Sequence, residues 1–157
     1  MAEHKETSSI TTPAVEGADD IGLLQDIVGF HIRLAYGAVY RHFTETFSDL
    51  ELTQKQVSVL WLIDDHEDIA QTDLASRMRM DRATTMAVVN RLQSRGFVVR
   101  GKSASDGRKQ TLHLTPAGEK ALVVAKDAIA RHEEWLKSRF TAKETKQLIE
   151  MLTRIHE

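Results

Sequence analysis

Nine cations crowd the stretch between Ser76 and Gln110: Arg77, Arg79, Arg82, Arg91, Arg95, Arg100, Lys102, Arg108 and Lys109, opposed only by Asp81 and Asp106. The rest of the chain holds 12 Lys or Arg against 21 Asp or Glu. A 157-residue protein of net charge −2 thus gathers a surplus of seven positive charges into less than a quarter of its length. Such segregation is the electrostatic footprint of a phosphate-bearing partner. A solvated face whose cations pair with acids elsewhere in the fold would give the same count. Other chemistries have less behind them. There is no cysteine, which removes disulfides, thiolate metal sites, a cysteine nucleophile and thiol-based oxidant sensing. The seven histidines (His4, His31, His42, His66, His113, His132 and His156) are scattered, with no H-x-x-x-H or H-E-x-x-H pair. No glycine-rich phosphate loop, nucleophile elbow or motif-placed carboxylate pair marks an enzyme. No catalytic residue, metal ligand or cofactor is therefore expected.

The elements that must position the cations follow from periodicity and caps. Residues 1–18 are polar and aperiodic and read as a loose tail. Apolar residues at helical spacing predict one long helix from Asp20 to about Phe47. Thr53-Gln54-Lys55-Gln56 is a capping box, with Leu52 and Val57 as a hydrophobic staple, and starts a second helix running to about Asp64. A short third helix is expected over about Ala70 to Met78. Asp81 caps a fourth from Arg82 to about Arg95, ended by Gly96. The period then changes: Phe97-Val98-Val99-Arg100 and Thr111-Leu112-His113-Leu114-Thr115 read as strands around a basic, Asp-Gly-containing turn. Thr115-Pro116 restarts helix, extending to about Phe140, and Thr141-Ala142-Lys143-Glu144 caps a terminal one. The fold class is mainly α: a winged helix-turn-helix with a two-stranded β wing and long helices at both ends.

The order of elements, Leu74-Ala75, Arg91-Leu92 with Gly96 and Arg100, and above all Asp106-Gly107-Arg108-Lys109-Gln110-Thr111-Leu112-His113-Leu114-Thr115 followed by Gly118 resemble the MarR family of bacterial transcription regulators. The resemblance covers roughly residues 20 to 157. It departs at Ala70, where a Ser or Thr cap is common, which weakens the third helix start by about 1 kcal/mol. The resemblance implies a homodimer whose first, fifth and sixth helices interlock. That makes residues 19–48 and 116–157 the helical dimerisation region and 49–115 the winged-helix DNA-binding domain. It also implies double-stranded DNA as partner, with each recognition helix in a major groove and each wing in the neighbouring minor groove of a pseudo-palindromic operator.

The residues can be read on their own terms within that frame. The fourth helix presents Arg82, Ala83, Thr84, Thr85 and Met86 on its first turn, where a groove-docked helix meets base edges. Arg82 and Thr84 are expected base or phosphate contacts, with Thr85 and Asn90 behind them; Thr85 could instead merely support the helix. Met86, Val89 and Leu92 are expected to pack inward. Arg77 and Arg95, at element ends, are expected on phosphates, where they set affinity and salt dependence rather than sequence. Arg108, on a glycine-flanked hairpin tip beside Lys109, suits a narrow, strongly negative minor groove. Asp106 repels a phosphate; it either orients an arginine, Arg108 or Arg91, or simply starts the turn.

Effector binding rests on the first helix. At about 100° per residue, Leu24, Ile27, Val28, His31, Ala35, Ala38 and His42 form one stripe. By resemblance the effector is a small aromatic acid or an aromatic acyl-CoA. A cleft between that stripe and Trp61 would suit it, with rings for stacking and His31, His42 and Arg41 for the anionic end. The two histidines could equally be hydrogen-bonded interface residues. His132-Glu133-Glu134-Trp135 reads as a charged exposed patch beside a core tryptophan. The expectation is a homodimeric repressor released by such an effector. A zinc-responsive regulator of the same fold and a non-sensing helical interaction protein are the alternatives. No signal-like or membrane-spanning segment is legible, so a cytoplasmic location without membrane contact is expected.

Overall fold

The computed structural model describes residues 22–103 and 105–157; the expected tail and the first two residues of the expected first helix lie outside the described residues. The elements are α1 (Val28–Thr46), α2 (Gln54–Asp65), α3 (Gln71–Arg77), α4 (Arg82–Ser94), β1 (Val98–Lys102), β2 (Gln110–Leu114), α5 (Pro116–Lys137) and α6 (Ala142–His156). This is the winged helix-turn-helix that the caps and the change of period predict. Two compact units divide the chain at Tyr36 and Gly37.

In the first unit the helix begins later than its periodicity predicts. Gly22 takes a left-handed φ of +56°, and residues 22–26 form a 3-10 turn instead. The Gln25 carbonyl accepts from His31 Nε2 at 2.7 Å, and the Ile27 amide bonds to the Leu24 carbonyl at 3.1 Å, so the α-helical ladder starts only after Ile27. Leu23, Leu24, Ile27 and Val28 are exposed.

The second unit builds the winged helix around one core. The Thr53 capping box forms in both directions, with Thr53 N–H donating to Gln56 Oε1 at 2.9 Å and Gln56 N–H to Thr53 Oγ1 at 3.3 Å, and the stapling residues Leu52 and Val57 are buried. Ala70 stands at the α3 cap without a side-chain acceptor, but Asp73 Oδ2 accepts from Ala70 N–H at 2.9 Å, half a capping box that offsets the missing hydroxyl. Leu60, Leu74, Val89, Leu92, Val98 and Leu112 interdigitate at the centre.

The wing is an antiparallel pair in the register Val98↔Leu114 to Lys102↔Gln110. It is tied back by Leu112 N–H to the Ile69 carbonyl at 2.9 Å. The Leu114-Thr115 and Gly118 motif has a packing reason. Thr115 Oγ1 accepts from Gly118 N–H at 3.0 Å, and Thr115 N–H donates to the Phe97 carbonyl at 3.0 Å. A Cβ on Gly118 would stand 2.1 Å from that same carbonyl oxygen, so only glycine lets α5 start against the α4–β1 turn. Helix α5 stops at Lys137 rather than Phe140, its last turn tightening through Arg139 N–H to Leu136 at 3.3 Å and Phe140 N–H to Lys137 at 3.0 Å before the Thr141 box begins α6.

Candidate nucleic-acid interface and effector region

Helix α4, the expected recognition helix, is started by Asp81. Its carboxylate accepts from the Thr84 amide at 2.8 Å and from the Thr84 hydroxyl at 2.6 Å, and these bonds hold the Asp81 carboxyl below the ordinary carboxylate range. Arg82, Ala83 and Asn90 lie exposed along the helix. Thr85 does not: it is fully buried and its hydroxyl donates to the Asp81 carbonyl at 2.9 Å, so it supports the first turn and has no surface to offer DNA. Met86 also differs from expectation. It is 49% exposed, because Thr85, Val89 and Leu92 already fill the inward face.

The cations sort into two groups. The side chains of Arg79, Arg82, Arg91, Lys102 and Arg108 are exposed and have no hydrogen-bond or ion-pair partner among the described residues. The others are engaged, mostly by neutral acceptors. Arg77 Nη1 donates to His66 Nε2 at 3.0 Å, whose Nδ1–H donates to the Leu62 carbonyl at 3.0 Å. Arg95, expected on phosphate, instead donates to the carbonyls of Glu51 at 2.7 Å and Leu50 at 3.1 Å and lies over the Phe97 ring. It ties the end of α4 to the turn before α2. Lys109 pairs with Asp73 at 3.2 Å, joining the wing to the α3 start, and the Ala70 amide, followed by this contact, lowers the Asp73 carboxyl. Arg100, absent from the expected contacts, reaches three side-chain amides at once, those of Asn90, Gln93 and Gln71. Its strand position next to the α4 face was the available signal.

At the wing, Asp106 Oδ1 accepts the Arg108 backbone N–H at 3.0 Å and the Asp106 carbonyl accepts from Lys109 N–H at 2.9 Å. Of the two roles open to Asp106, the geometry supplies the turn-starting one. Buried Ser103 anchors the base of the wing, donating to Asp68 Oδ2 at 2.8 Å and accepting from the amides of Ser105 and Asp106, each at 3.1 Å.

The expected effector residues fall in both units. His31 and Ala35 lie in the first unit; Ala38, Arg41, His42 and Trp61 lie in the second. His42 stacks on Trp135, centroids 3.9 Å apart and planes 9° apart, and its Nδ1 shares a hydrogen bond of 2.8 Å with Nδ1 of His132. Trp61 instead carries the Lys126 ammonium 5.0 Å from its ring centre, with Lys126 paired to Asp64 at 2.7 Å. His132 is buried rather than part of an exposed patch, and burial, followed by the neighbouring His42, holds its imidazole below the ordinary histidine range. The signal was present: Leu122, Ala125, Ala128 and His132 recur every three or four residues on one buried stripe. Among the described residues no group of three or more histidines and carboxylates is arranged to hold a metal ion, and no helix is long and apolar enough to cross a membrane.

A family model described as the MarR family matches residues 52–109, from the second helix to the wing tip. A Thauera aromatica protein described as a regulatory protein for the hcr operon is 32% identical over 136 residues, which is 86% of this chain and 82% of that protein. The chain belongs to the MarR family of transcriptional regulators. Solved MarR-like structures agree in fold. The transcriptional repressor CouR bound to a 23-mer DNA duplex superposes with a TM-score of 0.79 at 32% identity, over 87% of this chain and 96% of that one. CouR bound to p-coumaroyl-CoA gives 0.79 at 30% identity over the same shares.

Proposed function

We propose that this MarR-family regulator binds a pseudo-palindromic DNA operator as a homodimer, represses transcription there, and is released by an aromatic carboxylate or its coenzyme A thioester. The observation that carries the DNA half is the set of unpartnered arginines. Arg82 and Arg91 on α4 and Arg108 at the wing tip keep full charge at the surface. The duplex-bound relative CouR, similar across almost its whole length, supports the same reading. Arg82 and Thr84 face base edges or the adjoining phosphates, Arg77, Arg91 and Lys109 add phosphate attraction, and Arg108 enters the minor groove.

The effector half draws on the relative that binds p-coumaroyl-CoA and on the second-unit residues. The His42–Trp135 stack offers an aromatic wall, Ala38 leaves room, and exposed Arg41 meets the anionic end. Trp61 is left to its Lys126 contact. Release follows if the effector favours a lobe spacing unsuited to two half-sites one helical turn apart.

Selection from randomised duplexes, followed by anisotropy titration with the selected operator, tests the whole reading. An operator recovered as an inverted repeat and displaced by micromolar p-coumaroyl-CoA or a related thioester supports it. An effector that binds tightly and leaves operator affinity unchanged contradicts the release mechanism, because coupling requires differential affinity.

A further inference from the structure

We infer that Arg100 is a positioning residue for base reading: from β1 it fixes the side-chain amides of Asn90 and Gln93 on α4, so that Asn90 offers DNA a hydrogen-bond donor. The inference rests on the DNA-binding reading above. The Arg100 Nη2 lies 2.9 Å from Asn90 Oδ1 and 3.3 Å from Gln71 Oε1 at the start of α3, and Nη1 bonds Gln93 Oε1. A guanidinium has only donors, so the amide atom facing it is the oxygen in every case. That settles the orientation of Asn90 chemically. Its Nδ2 has no partner among the described residues, and the residue is exposed on the α4 stripe that also carries Ala83 and Met86.

Two consequences follow. An asparagine that reads adenine turns both its oxygen and its NH2 toward the base. With the oxygen turned to Arg100, Asn90 instead presents N–H groups to acceptor edges: purine N7, guanine O6 or thymine O4. The second consequence is electrostatic. All three partners of Arg100 are neutral amides, so the brace between α3, α4 and β1 leaves its positive charge uncompensated. The Lys109–Asp73 pair, by contrast, cancels one. A carboxylate at residue 71, 90 or 93 would brace equally well and remove a charge that attracts the phosphate backbone.

The test compares wild type, Arg100→Lys, Asn90→Ala and the double variant by selection from randomised operators and by anisotropy. The expected wild-type profile has one position per half-site preferring an acceptor-rich edge. Asn90→Ala flattens that position. Arg100→Lys, which keeps the charge and loses the planar fork, flattens the same position and weakens operator binding roughly tenfold. It leaves non-specific binding within about twofold. The double variant is no worse than the weaker single variant, the signature of residues acting as one unit. Asn90→Asp, which keeps an acceptor for Arg100 but removes the donor, also loses the preference and guards against a folding defect in the lysine variant. Additive losses, an unchanged profile in Arg100→Lys, or a preference kept in Asn90→Asp would overturn the inference while leaving DNA binding intact. A wild-type chain without salt-dependent DNA binding would overturn both.

Discussion

Leu60, Leu74, Val89, Leu92, Val98 and Leu112 in the winged helix are each at most 2% exposed, whereas no residue of α6 is buried and its Ile149 and Ile155 are 57% and 63% exposed. The winged helix closes its apolar faces within one chain. Helix α6 has a firm capping box and an amphipathic pattern, yet none of the described residues buries its apolar stripe. Contiguous exposed apolar faces of this kind mark association sites, and a second copy of the chain is the occupant the family reading proposes. The same contrast appears in the charges. The winged helix keeps Arg82, Arg91 and Arg108 without side-chain partners among the described residues, while Lys137 pairs with Glu133 within α5 and Lys126 of α5 with Asp64 of α2, both ordinary surface ion pairs. One region closes on itself and carries unpaired cations; the other leaves an apolar face open for the second copy that the proposed function calls for.

Substitutions separate the two regions. The largest effect is expected at Gly118. Gly118→Ala drives a methyl into the Phe97 carbonyl at 2.1 Å, in a place where backbone must move, and should cost on the order of 3 kcal/mol in denaturant unfolding. DNA binding falls with it. Next comes Ile149→Glu with Ile155→Glu on α6. Sedimentation should then show the dimer weakened by roughly a hundredfold, with the winged-helix circular dichroism retained. A dimer unaffected by these charges would move the interface elsewhere. Arg108→Ala should weaken operator binding by about tenfold and lower the log–log salt slope by about one, without changing the melting temperature.

The smallest effect is in pH. The His132 imidazole is held below its ordinary range in the fold, so on acidification the unfolded chain takes up the proton first. The stability from keeping it neutral is complete above a pH of about 6.5 and declines as pH falls from there toward the folded-state value. Asp73, Asp81 and Glu144, all lowered by their capping bonds, contribute stability that is present above about pH 4 and lost below it. His132→Phe should remove the first decline in a pH series of melting temperatures and leave the second.

Much of this architecture was legible because its signals are local. The Thr53, Asp81, Thr115 and Thr141 caps each bond a partner three residues on, and the wing follows from a change of period beside an Asp-Gly turn. The failures involve distance along the chain. His42 meets His132 across 90 residues, and Arg95 reaches carbonyls 44 and 45 residues away, neither of which a periodic pattern encodes. Thr85 and Met86 are neighbours on one helix turn, and which of them faces inward depends on how α4 is rotated against the core. That rotation is set by Val89 and Leu92 packing in three dimensions. Arg100 was legible as part of the family motif, but its role needs the amides of α3 and α4 brought to β1 by the fold.

The most direct test of the central claim is a salt series of anisotropy titrations of the selected operator with wild-type protein and Arg108→Ala, read together with the binding stoichiometry. The account predicts two chains per operator, a linear fall of log affinity with log salt at about −0.9 per neutralised phosphate, and a shallower slope for the variant. One chain per site, or a salt slope near zero that Arg108→Ala does not change, would contradict it.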